Sequence, residues 1–107
     1  MTTKDLVKMV EELGFKAKTI NERWVETRVD DITTLLLTVG EIENNIYCLV
    51  VVHKLHNQTT FRQIISMMRS LGFNSPFYIS GTYWKCLNIT EYTFFKRKDD
   101  GKALQLL

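Results

Sequence analysis

Two histidines, His53 and His56, stand in a His-x-x-His arrangement whose spacing suits a pair of zinc-ligating imidazoles. A zinc site needs further ligands, and the two cysteines, Cys48 and Cys86, supply them only if the fold carries them there. A second constellation is basic and aromatic. Lys85, Lys96, Arg97 and Lys98 alternate with Tyr83, Trp84, Tyr92, Phe94 and Phe95, residue types that contact phosphates and stack on bases. Alternation sets Tyr92, Phe94 and Lys96 on one side of a strand and Thr93, Phe95 and Arg97 on the other, so one aromatic row is expected to be core. A third is acidic. Glu22, Glu26, Asp30, Asp31, Glu41 and Glu43, with Asn44 beside the last, suit an edge that competes with DNA phosphates for a Lys/Arg-lined groove. No nucleophile paired with a base, no glycine-rich phosphate loop and no complete ligand set is present, so neither an enzyme, a cofactor nor a metal site is expected.

The chain around these residues has the makings of one folded domain spanning residues 1–107. Apolar residues make up 45% of it and charged residues 24%, a balance that excludes a disordered chain. Charge is unevenly spread: six Lys/Arg face nine Asp/Glu in residues 1–53, and eight face three in residues 54–107. An acidic end and a basic end would orient a charged partner. Both cysteines lie in apolar or aromatic runs without a second Cys at metal-ligand spacing, which favours buried thiols in a reducing compartment. No apolar run has membrane-spanning length, and Met-Thr-Thr-Lys-Asp leads directly into an amphipathic pattern, so the cytoplasm is the expected location and no membrane partner is expected.

Positioning falls to a faint internal repeat. Leu6 to Phe15 aligns with Ile64 to Phe73, and both segments end in Leu-Gly-Phe. The first helix is expected over Lys4 to Leu13, capped by Thr2 or Thr3, with Leu6, Val10 and Leu13 on one face. The second is expected from Thr60, with Gln63 completing a capping box and Phe61, Ile64, Ile65, Met68 and Leu71 as its stripe. Gly14 and Gly72 then end the helices, and Phe15 and Phe73 fold back as equivalent buried residues. Trp24 and Trp84 follow in each unit, and Val29, Ile32 and Thr33 align with Ile89, Tyr92 and Thr93. Strands are expected at Phe15 to Arg23, Val29 to Val39, Ile46 to Lys54, Phe77 to Ser80, Tyr83 to Thr90 and Tyr92 to Lys98. The result is an α+β fold, a mainly antiparallel twisted sheet with two helices in the order α-β-β-β-α-β-β(-β).

Leu36, Leu49 and Val51 make the central hairpin apolar on its second face, which predicts either a second covering layer or a homodimer acting as a chaperone-like module. Its tip, Glu41-Ile42-Glu43-Asn44-Asn45, is expected to be exposed, with Asn taking the positive φ of the turn.

Three resemblances bear on function. Asp30 and Asp31 before a strand, and Val52-His53-Lys54 ending the next, resemble the restriction-endonuclease-like fold of Holliday-junction resolvases over about residues 6 to 95. That family uses an Asp and Glu-x-Lys to bind Mg²⁺; Val52 stands where it carries the Glu, so the resemblance implies at most an inactive, nucleic-acid-binding relative. The helix, Gly14-Phe15 and the strand after it resemble the start of HicA toxins, but Thr19 to Trp24 lacks their catalytic His. Asp5 to Lys8, Ile32 to Leu37, the acidic tip and Tyr47 are similar to small type II-A anti-CRISPR proteins of phages, over about residues 3 to 71. This last resemblance implies a non-catalytic inhibitor that places Asp30, Asp31, Glu41 and Glu43 in the PAM-reading site of an RNA-guided nuclease. The alternative is direct nucleic-acid binding through Lys85, Lys96, Arg97 and Lys98.

Overall fold

Two helices, α1 (Thr3–Glu12) and α2 (Gln58–Ser70), pack on one face of a sheet formed by β1 (Ala17–Thr19), β2 (Val25–Arg28), β3 (Thr34–Ile42), β4 (Asn45–His53), β5 (Tyr78–Ile79) and β6 (Ile89–Arg97). The structure, a computed structural model, describes residues 1–53, 58–73, 78–79 and 89–97. All pairings among these strands are antiparallel, in the order β1-β2-β3-β4-β6-β5. This is the α+β class that the pattern predicts, with two helices on an antiparallel sheet. Trp84, the Ser80-Gly81 turn and everything after Arg97 lie outside the described residues.

α1 starts with a reciprocal capping box. Thr2 Oγ1 accepts from Asp5 N at 3.2 Å, and Asp5 Oδ2 accepts from Thr2 N at 2.9 Å, satisfying two amides that the helix leaves free. The helix buries Leu6 and Val10, one turn apart. α2 begins two residues before the predicted start, so Thr60 lies inside its first turn and the Thr60/Gln63 box does not form the cap. Ile64, Met67, Met68 and Leu71 are its buried stripe.

Both helices end by the same device, as the Leu-Gly-Phe echo predicts. Gly14 has φ 97° and Gly72 φ 93°, left-handed values that penalise a Cβ. Gly14 N donates to Glu11 O and Phe15 N to Val10 O; Gly72 N donates to Arg69 O and Phe73 N to Met68 O. These paired bonds are the Schellman motif. The two aromatics differ, however: Phe73 is 1% exposed, whereas Phe15 is only half-buried. The repeat also loses register beyond the helices, because Val29, Ile32 and Thr33 fall in the β2–β3 turn while Ile89, Tyr92 and Thr93 lie in β6.

Strand boundaries move for a local reason. Asn21 Oδ1 accepts from Arg23 N and Trp24 N, at 2.8 and 3.0 Å, and turns the chain out of the strand predicted to continue to Arg23. Asp30 Oδ1 accepts from Ile32 N and Thr33 N, at 3.0 and 2.7 Å, and delays β3 to Thr34. Between the two turns an additional short strand, β2, pairs with both β1 and β3. The break expected near Glu91 is absent, and β6 runs unbroken across it.

β3 and β4 form the centre, paired over nine positions from Thr34↔His53 to Ile42↔Asn45. Leu35, Leu37, Cys48, Val50 and Val52 point to the helices and are fully buried, joined by Val25 from β2 and by Tyr92 and Phe94 from β6. The opposite face carries Leu36, Thr38, Tyr47, Leu49 and Val51, each half-buried. Gly40 belongs to this face, where the Tyr47 ring covers it so closely that a Cβ at position 40 would collide with the ring.

Candidate functional site

Among the described residues, the hairpin tip is an exposed sequence-derived site. Glu41, Ile42, Glu43 and Asn44 are all exposed, at the end of two nine-residue strands paired along their full length. The turn residue with positive φ is Glu43, at 55°, rather than an asparagine. A non-glycine side chain in this region carries a cost of about 1 kcal/mol or more. Glu41 lies on the helix side of β3, 4.0 Å from the N-terminal ammonium of Met1, whereas Ile42 lies on the opposite side and is 56% exposed.

Asp30 and Asp31 sit at the other end of β3. At about 3.3 Å of rise per residue, the strand between them and Glu41 separates the two acidic groups by roughly 23 Å. The single acidic edge expected from the sequence is therefore two separate features. Asp30 also serves to hold its surroundings together. Besides binding the two amides, its carboxylate accepts through Oδ2 from Thr60 Oγ1 at 2.9 Å and from Thr33 Oγ1 at 3.3 Å. Burial pushes its carboxyl up, but the four hydrogen bonds from Ile32, Thr33 and Thr60 outweigh that and leave it below the usual carboxylate value. The charge also sits at the first turn of α2, where the helix dipole favours an anion. Asp31 is exposed.

The basic run divides as alternation predicts. Lys96 turns to the helix side, where Nζ donates to Leu71 O at 3.4 Å and stands 4.7 Å from the centre of the Phe73 ring. It caps the C-terminal end of α2 and makes a cation–π contact there. Arg97 is exposed and opposite Asn45, at the hairpin-tip end of the sheet. Lys85 and Lys98 lie outside the described residues. Tyr92 and Phe94 are core, and Phe61 stacks on Tyr92 with ring centroids 5.4 Å apart.

His53 closes β4, while His56 and Cys86 lie outside the described residues. Cys48 is fully buried, and burial pushes its thiol up to about 12 against a smaller opposing effect of Lys96, so it is a poor nucleophile or ligand at neutral pH. Among the described residues no three His, Cys, Asp or Glu side chains converge on a metal-sized site. No described helix is long and apolar enough to cross a membrane.

One cavity was not foreseen from the sequence. An open groove of about 650 Å³ lies between residues 14–18 and 26–31. It exists because Ala17 pairs with Thr27, a pairing hidden when β2 is not recognised as a strand. Among its charges, Lys18 pairs with Glu26 at 3.1 Å and Asp30 is bound to its own turn. No protein-family model matches the chain, and comparison with curated proteins and with solved structures finds no match.

Proposed function

We propose that this chain is a non-catalytic binding protein that inhibits or modulates a nucleic-acid enzyme by offering its β3–β4 tip to a Lys/Arg-lined groove. The partner class is an RNA-guided nuclease, following the resemblance to type II-A anti-CRISPR proteins. The observation that carries the reading is the tip itself: Glu41, Glu43 and Asn44 are exposed on a fully paired hairpin, with Glu43 held at positive φ. A tip whose flanking strands are fully paired has less backbone freedom to lose on docking than an open loop, and carboxylates on it make charge-assisted bonds to guanidinium or ammonium groups. The contact set is reduced to Glu41, Glu43 and Asn44, because Asp30 is engaged in its turn and Asp31 lies at the far end of the strand.

The test is target-DNA cleavage by purified, guide-loaded type II-A nucleases with and without the chain. Inhibition is expected to weaken when Glu41 and Glu43 are both changed to Lys, by about 1 to 3 kcal/mol per buried charge pair, and to weaken with rising salt. Unimpaired inhibition by the reversed chain overturns the tip as the contact. Loss of direct DNA or RNA retention on Arg97→Glu, without any effect on cleavage, supports the alternative of nucleic-acid binding.

A further inference from the structure

We propose that the groove beside β1 binds a phosphate monoester, held between Lys16 and Arg28 while the rest of the ligand lies against Phe15 and Val29. Residues 14–18 form one wall and residues 26–31 the other, around an open volume of about 650 Å³. Small-molecule sites span about 300 to 1,000 Å³.

Two neighbouring cross-strand positions carry the inference. Lys18 is opposite Glu26, and the two pair at 3.1 Å. Continuing that register past Ala17↔Thr27 sets Lys16 opposite Arg28, two residues along each strand and on the same side. Opposite residues of an antiparallel pair have Cβ atoms about 4.5 to 5.5 Å apart, and like charges there are destabilising. Thr27, 2% exposed, donates through Oγ1 to Lys16 O at 2.7 Å and fixes the Lys16 backbone in this place. Both cations are exposed, and among the described residues neither side chain has a hydrogen-bond or ion-pair partner. The chain thus answers charge with charge at one position and sets two cations side by side at the next, where both line the groove.

Charge and shape select the ligand. Three carboxylates line the same groove: Glu26 is paired with Lys18, Asp30 is bound in its own turn, and exposed Asp31 is the remaining opposing charge. Two cations suit a dianion better than a single carboxylate, and a phosphate monoester carries about −1.5 to −2 charge at pH 7. A guanidinium takes two phosphate oxygens as a fork, and an ammonium takes a third as a point charge. Phe15 and Val29 are half-buried and offer apolar surface to the body of the ligand, and a Cβ built on Gly14 would meet nothing within 4 Å. Arg28 pairs with Thr34, at the end of β3 remote from the hairpin tip, so this site and the tip reading can fail separately.

The experiment is an NMR titration of the full chain at low salt with adenosine monophosphate, adenosine and inorganic phosphate. The nucleotide should shift the amides of residues 14–18 and 26–31 saturably, with a Kd of about 1 mM or tighter. Inorganic phosphate should shift the same amides more weakly, and adenosine should not. A 5′-phosphorylated dinucleotide that binds more tightly than the mononucleotide identifies the ligand as a nucleic-acid end; one that binds more weakly identifies a free small molecule. Lys16→Glu and Arg28→Glu should each weaken binding about tenfold or more. Asp31→Asn should strengthen it about twofold. Lys16→Glu should also raise the melting temperature by about 1 to 4 °C, because it replaces a like-charge pair by a complementary one. The proposal is overturned by an absence of saturable shifts up to about 10 mM, by equal binding of an unphosphorylated dinucleotide, or by a Lys16→Glu chain that melts lower than the parent.

Discussion

α1 and α2 are stopped by the same hydrogen bonds yet held by different means. α1 is capped locally by Thr2 and Asp5, three residues apart, with one long-range bond from Thr3 Oγ1 to Glu22 O at 3.4 Å, and Phe15 at its end is half-buried. α2 is held from elsewhere. Asp30, from the β2–β3 turn, binds Thr60 in its first turn, and Lys96, from β6, binds Leu71 and covers Phe73 at its last. A shared backbone motif therefore fixes where each helix ends, while tertiary contacts decide how much stability depends on that end.

The largest expected effect is at the paired aromatics. Phe73→Ala should cost about 3 to 5 kcal/mol, as for a fully buried ring, and Phe15→Ala no more than about 1 to 2 kcal/mol. Urea denaturation of both variants measures the difference, and equal losses would break the comparison. At the two glycines the ends should instead agree. Gly14→Ala and Gly72→Ala should each cost about 1 to 2 kcal/mol in thermal melts, because both positions need positive φ and neither Cβ would meet a severe clash.

Asp30 tests the beginning of α2. Its carboxyl lies below the ordinary 3.8, so its contribution to stability is complete above that value. That contribution is lost as pH falls through the lower folded value. Asp30→Asn should cost about 1 kcal/mol at pH 7, discounted for its partly solvated position, and should flatten the stability profile below pH 4. A variant with an unchanged acid profile would show that the turn does not depend on the charge. The smallest effect is expected at Lys96→Met, about 0.5 to 1 kcal/mol, from losing the contact with the Phe73 ring. The loss should persist in 1 M salt if the cation–π contact and helix cap are responsible, and vanish there if distant charges are.

What was legible in the sequence follows the same division between local and distant causes. Leu13-Gly14-Phe15 and Leu71-Gly72-Phe73 announce their helix ends because the Schellman motif is written in adjacent residues. The burial of Leu35, Leu37, Val50 and Val52 follows from simple alternation, as does the division of Lys96 from Arg97. Strand limits were less legible because Asn21 and Asp30 redirect the chain with side-chain oxygens, and either residue reads equally well as a polar surface position. The exposed tip was visible in its composition, but not that Glu43 would carry the positive φ in place of an asparagine. The link from Asp30 to Thr60 spans thirty residues and has no signature in spacing. The groove beside β1 depended on a strand that Val25 to Arg28 announces only weakly.

The arrangement around β4 has a consequence for the order of folding. β3 and β4 close across a two-residue turn, whereas β4 and β6 are separated in the chain by α2 and β5. The middle of the sheet thus joins one of the shortest loop closures in the chain to one of its longest, and the long one carries the greater entropic barrier to forming early. Substitutions in the β3–β4 hairpin should consequently slow folding, while those along β6 should chiefly hasten unfolding. The lifetime of the native state is then governed by β6, and the speed of reaching it by the central hairpin.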